Sequence, residues 1–242
     1  MEPVHIPFLS LLSFGAGGWG DELFYGVLNT IGLAVTALPI GLAGGLVLGL
    51  ARGAQEPTLR LAANLLSSVF RGLPELLTIL LVYFLGQRIL NAAVDFAGGG
   101  SARDVSIFWA GVAALSIVFA AYASEVFLGS LKALQASHLQ AAAALALGPV
   151  VTLRFITLPE IFRLSAPGLS NLWLSLLKQT SLMSVIGFGD LLRSGYVAAS
   201  STGERIFFYA VVFALYLLLC SAGAPLFEGL IRSASAKIPA RP

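Results

Sequence analysis

The stretch from Leu23 to Ala51, LFYGVLNTIGLAVTALPIGLAGGLVLGLA, carries no formal charge and lies between Asp21-Glu22 and Arg52. About 20 mostly apolar residues suffice for a helix to cross ~30 Å of hydrocarbon, so this stretch reads as a membrane-spanning helix. The rest of the chain agrees. Of its 242 residues, 57% are hydrophobic and 11% charged, with a mean hydropathy of +0.90. Soluble domains carry about 25% charged residues, and this chain lacks the polar side chains to cover a water-facing surface. A net charge of +2 without any basic run disfavours nucleic-acid binding. Cys220 is the only cysteine, and His5 and His138 lie far apart, so neither a disulfide nor a metal site is expected. No cofactor is expected either.

Four further spans follow by the same rule. They run roughly over 61–87, interrupted by Arg71 and Glu75; 105–131, with Glu125 inside; 164–189, with Lys178 inside; and 206–227, free of charge. The segment 133–153 is also uncharged, but it holds Gln135, Ser137, His138 and Gln140 and the Gly148-Pro149 breaker. It is expected to form a helix over 139–147 outside the bilayer. Residues 6–20, interrupted by glycines, do not have the pattern of a secretory signal and are expected to form a short surface helix.

The sequence therefore predicts an all-α integral membrane protein of about five spans. An N-terminal segment (1–21) lies outside, a transmembrane domain (22–232) contains a loop at about 135–160, and a C-terminal tail (233–242) is cytoplasmic. Orientation comes from the basic residues of short loops. Arg52, Arg60, Lys132, Arg154, Arg163, Arg232, Lys237 and Arg241 fall on one side, with only Glu56, Glu160 and Glu228 against them. That side is expected to face the cytoplasm. Gly41, Gly45 and Gly49 recur every fourth residue and make a smooth helix face, open to either internal packing or a subunit contact.

Ionisable groups within spans point to function. Arg71 and Glu75 are four residues apart and would share a helix face, but Pro74 removes a backbone donor and Gly72 loosens the turn. The segment is expected to be a bent or broken helix. Arg71 can snorkel to the cytoplasm and is assigned a structural role. Glu75 needs a cation, which either protein or substrate can supply. Glu125, beside Tyr122 and Ser124, is open to pairing with Arg71 or Lys178 and, with Tyr122, to contact with substrate. Asn171 is a candidate for a substrate carboxylate or amine, and equally for an interhelix hydrogen bond.

The loop after the third long helix reads Gln140-Ala141-Ala142, then Ala146-Leu147-Gly148-Pro149, then Ile156-Thr157-Leu158-Pro159. It resembles the coupling loop of ATP-binding-cassette importer permeases, E-A-A-(three residues)-G-(nine residues)-I-x-L-P. Gln140 stands in place of the Glu and Ala146 in place of the Gly. The runs Arg71-Gly72-Leu73-Pro74-Glu75, Ala121-Tyr122-Ala123-Ser124-Glu125, Pro167-Gly168-Leu169-Ser170-Asn171 and Lys178-Gln179-Thr180-Ser181-Leu182 are similar to the polar amino acid branch, as found in its histidine, arginine and opine importers.

The resemblance implies a type I importer permease fold in a bacterial inner membrane. It implies an ATPase dimer gripping Gln140, Ala141, Ala142, Ala146, Leu147, Gly148 and Pro159, and a binding protein outside. A second permease subunit is implied as well, a heterodimer being favoured by the degenerate loop. The chain has no phosphate-binding G-x-x-x-x-G-K-[ST] motif, so ATP hydrolysis is assigned to another polypeptide and no catalytic residue is expected. The rival readings are an ion-coupled carrier using Glu75 or Glu125, and a non-transporting scaffold whose buried charges pair with one another.

Overall fold

The computed structural model describes residues 8–15, 17–96, 106–134, 140, 142 and 144–236. Among these every regular element is helical. A 3-10 turn (Phe8–Leu12) precedes α1 (Gly20–Arg52), α2 (Pro57–Gly72), α3 (Glu75–Phe96) and α4 (Ile107–Lys132). After the loop come α5 (Pro149–Thr152), a π-helical turn (Leu153–Thr157) and α6 (Leu158–Gln179). A 3-10 segment (Thr180–Ile186), α7 (Leu191–Thr202) and α8 (Arg205–Ala236) complete the order. By length and composition, four of the described helices can cross a membrane: 20–52, 75–96, 107–133 and 205–223. The expected fourth span corresponds to α6, which begins earlier, at Leu158, and is less apolar because it carries Glu160, Arg163 and Lys178. It is nevertheless part of the bundle, with Ile161, Leu169, Leu176 and Leu177 buried against α4 and α8.

The glycine face of α1 packs inside the molecule. Its partner is α4, the helix with which α1 makes its most extensive contact. A Cβ on Gly45 would stand 2.7 Å from the Ala123 Cβ, and one on Gly49 2.9 Å from the Phe127 Cβ. Both are closer than side chains tolerate, so the stripe lets two backbones approach. Buried Leu33, Ala34, Ala37, Leu115, Phe119, Ala123 and Phe127 form the core between these helices, and Trp173 of α6 stacks on Phe227 of α8 at 5.6 Å.

The second expected span is broken where Pro74 predicts. Leu73 is extended (φ −82°, ψ 142°), ending α2, and α3 starts afresh at Glu75. A residue before proline avoids helical geometry, and the first α3 turn recovers a bond from the Thr78 N–H to the Pro74 carbonyl at 3.1 Å. The apolar length belongs to 75–96, while α2 is amphipathic. Leu59, Leu65, Leu66 and Val69 of α2 are exposed, and Asn64, Ser67 and Arg71 turn inward. Glu56 caps α2 through the Thr58 hydroxyl (2.6 Å) and N–H (3.3 Å). Those hydrogen bonds hold its carboxyl below the ordinary range.

The loop departs from expectation at one residue. Ala146 has φ +50°, the left-handed region that disfavours a Cβ. The Leu147 N–H reaches back to the Ala142 carbonyl at 3.0 Å, the six-to-one bond of a Schellman cap whose turning position favours glycine. The Gly148-Pro149 pair then both stops this helix and starts the next, Gly148 being extended and Pro149 occupying the first helical position. Leu139, Ala141 and Ala143 of the expected 139–147 helix, and residues 135–138 before it, lie outside the described residues. Ala146→Gly should remove a penalty of about 1 kcal/mol. Hydrogen exchange is the measurement: the Leu147 amide should exchange about fivefold more slowly in the variant.

Candidate functional site

Two helix ends meet at a small cleft. Glu75 opens α3, where the helix dipole favours a carboxylate, and Lys178 and Gln179 close α6, where it favours a cation. The hydroxyls of Thr180 and Ser181 donate to the Leu177 and Lys178 carbonyls, each at 2.7 Å. These bonds compete with the α-helical pattern, and the chain tightens into the 3-10 segment beyond Gln179. Glu75, Ser175, Lys178, Gln179 and Leu182 line the cleft, about 330 Å³ in volume. The Gln179 Nε2 amide donates to Glu75 Oε1 at 2.6 Å.

Lys178 was expected to pair with a carboxylate inside the membrane, but its ammonium makes no ion pair among the described residues. It is exposed on the last turn of α6, where the helix terminus itself favours a cation. Asn171, Ser175 and Lys178 fall at i, i+4 and i+7, one face of α6. Asn171 is exposed a turn beyond the cleft. A larger hollow, about 730 Å³ between α1, α2 and α4, is lined by apolar residues alone and offers nothing to hold a polar solute.

The other charges expected within spans gather elsewhere. Glu125 Oε2 is 2.7 Å from Arg52 Nη2 and 2.8 Å from Arg71 Nη1. Arg52 also donates to Ser124 Oγ and Asn64 Oδ1, each at 2.9 Å. Ser67 and Ser124 complete the seam at 3.1 Å. The cluster ties the end of α1 and the polar face of α2 to α4. Glu125 and Tyr122, read from sequence as substrate candidates, do not line the cleft. Arg71 and Glu75, four apart in sequence, point to different partners because the extended Leu73 lies between them. Among the described residues no three His, Cys, Asp or Glu side chains group to hold a metal.

Residues 41–233 match the family described as the binding-protein-dependent transport system inner membrane component. The chain belongs to that family. The permease is 36% identical over 214 residues to the nopaline transport system permease protein NocQ of Agrobacterium fabrum strain C58, covering 88% of this chain and 91% of the relative. It is 35% identical over 202 residues to the arginine ABC transporter permease protein ArtQ of Escherichia coli strain K12, covering 78% and 85%. Its backbone superposes on a crystal structure of an amino acid ABC transporter with histidines at a TM-score of 0.72, with 26% identity over 89% of this chain and 95% of that one. The fold is that of a type I importer permease.

Three residues of the permease escape a sequence reading. Arg52 looks like a loop cation beyond a span, yet it is the buried partner of Glu125, 73 positions away. Gln179 and Ser175 carry no charge to flag them. Their one signal is position, beside Lys178 and one helical turn before it.

Proposed function

We propose that this permease is the membrane-spanning subunit of an ATP-driven importer for cationic amino acids or opines, and that Glu75 and Lys178 hold the two charged ends of the substrate. One observation carries the reading. An acid and a base line the same cleft without pairing with each other. A free amino acid brings the complementary set, a cation for Glu75 and a carboxylate for Lys178. Ser175 adds a hydroxyl, and Asn171 extends the polar stripe along α6. An opine's additional carboxylate fits the same ammonium. The likeness to nopaline and arginine permeases supports this class of substrate.

Glu125 then belongs with Arg52 and Arg71 as structural charge. A separate ATPase dimer would grip the loop around Gln140, Ala142 and Ala146 to Gly148 from the cytoplasm. A binding protein would deliver solute from outside, and a second permease, favoured as a different chain, would complete the path. The N-terminus lies outside and the C-terminus inside, following the basic loops.

The test is direct binding of L-arginine and of L-citrulline, its neutral near-isostere, to the purified importer complex. Both share the α-carboxylate, so Lys178→Met should weaken both by about tenfold, the value of one charge-assisted hydrogen bond. Unchanged binding of either ligand would remove Lys178 from the site.

A further inference from the structure

Among the described residues Gln179 is the one that hydrogen-bonds Glu75, and its chemistry differs from that of the substrate. It is a neutral amide donating to an anion at 2.6 Å. The remaining Glu75 oxygen, Oε2, has no partner among the described residues, and the Gln179 side-chain oxygen, Oε1, likewise has none. The half-buried Glu75 carboxylate is therefore satisfied from one side by a residue at the α6 terminus, where the helix gives way to the 3-10 segment.

We infer that Gln179 is an internal competitor for Glu75, a stand-in donor that any substrate must displace and that retakes the carboxylate as the substrate leaves. The inference rests on the substrate-binding reading of Glu75 and goes beyond it by assigning the empty state. Exchanging one neutral N–H donor for another gains little, whereas exchanging an amide for a guanidinium or ammonium gains a charge. The amide thus sets a threshold that a cation clears and a neutral donor does not. It also lowers the barrier to release, because the carboxylate is not left bare when the cation departs.

The experiment uses the complete importer in proteoliposomes, with arginine uptake and binding normalised to assembled complex. Gln179→Met keeps the length and removes the donor. It should tighten arginine binding about three- to tenfold, lower KM, and lower kcat through slower release. A residue that merely supports the fold would lower kcat without lowering KM. In a Glu75→Gln background the same Gln179→Met change should move arginine affinity by less than about twofold, since it acts only through the carboxylate.

Arginine binding that is unchanged or weaker in Gln179→Met overturns the inference while leaving Glu75 as the cation site. Arginine binding that is insensitive to Glu75→Gln sinks the underlying reading instead. An equal effect of Gln179→Met in both backgrounds also overturns the inference, because the amide would then be acting on something other than Glu75.

Discussion

Glu75→Gln should lower arginine affinity by about one to two orders of magnitude and leave citrulline within about threefold of its original value. A hydrogen bond to a charged group is worth about 1.5–3 kcal/mol, and each 1.4 kcal/mol is a factor of ten. Glutamine retains the size but not the charge, so a cationic ligand loses its counter-ion while a neutral ligand, held through its α-carboxylate, loses little. The position of the carboxylate magnifies the effect. Glu75 is half-buried and held at a break in the backbone between two helix ends, where water screens it less than at an open surface. Equilibrium binding to the purified complex measures the change, and equal losses for both ligands would argue against charge recognition.

The largest stability loss is expected from Glu125→Ala. Removing one partner of a buried ion pair costs about 3–5 kcal/mol because a charge is left stranded. The stranded charge here is Arg52, whose side chain is 6% exposed. Glu125 itself is 48% exposed, and water can replace part of its contribution, which lowers the expected cost to about 2 kcal/mol. For a chain of this size that is a fall of roughly 4–8 °C in the melting temperature of the purified complex. Arg71→Met should cost less, since Arg71 is 30% exposed. Replacing Arg52 and Glu125 together, by Met and Leu, should return part of the stability, because the most buried charge is gone and only Arg71, 30% exposed, is left without its carboxylate. Melting the single and double variants side by side separates an ion-pair role from simple packing. A double variant no better than Glu125→Ala would mean that Arg52 acts through Asn64 and Ser124 rather than through the carboxylate.

The sequence makes legible what depends on neighbouring residues. Charge-free runs mark α1 and α8, an apolar run interrupted only by Glu125 marks α4, and Gly72 with Pro74 marks the break before Glu75. Proline chemistry acts within one or two residues, so the break needs no knowledge of the fold. The Arg52–Glu125 contact is illegible for the opposite reason, since two chain-distant helices must pack before the pair exists. Packing depends in turn on Gly45 and Gly49, whose periodic spacing is visible while the helix they face is not. Ala146 is an intermediate case. Its replacement of a glycine suggests a stiffer bend, but only the backbone shows that the residue is forced into the left-handed region. Lys178 reads as a paired membrane charge because its depth cannot be judged from sequence. Its place on the last turn of α6 removes the need for a partner.

α6 spans 22 residues from Leu158 to Gln179, a rod of about 33 Å at 1.5 Å per residue. One of its ends adjoins the π-helical turn that follows α5, and the other carries Ser175, Lys178 and Gln179 of the cleft. The α-helical register is interrupted at this wide turn, Leu153–Thr157, and α6 then runs on to Gln179 with Pro167 in its interior. Under the proposed coupling, a push at the loop would meet this turn first and then pass along α6 to the residue that hydrogen-bonds Glu75. Lengthening or shortening that turn by one amino acid would rotate the far tip by about 100°, swinging Lys178 and Gln179 out of the chamber they line.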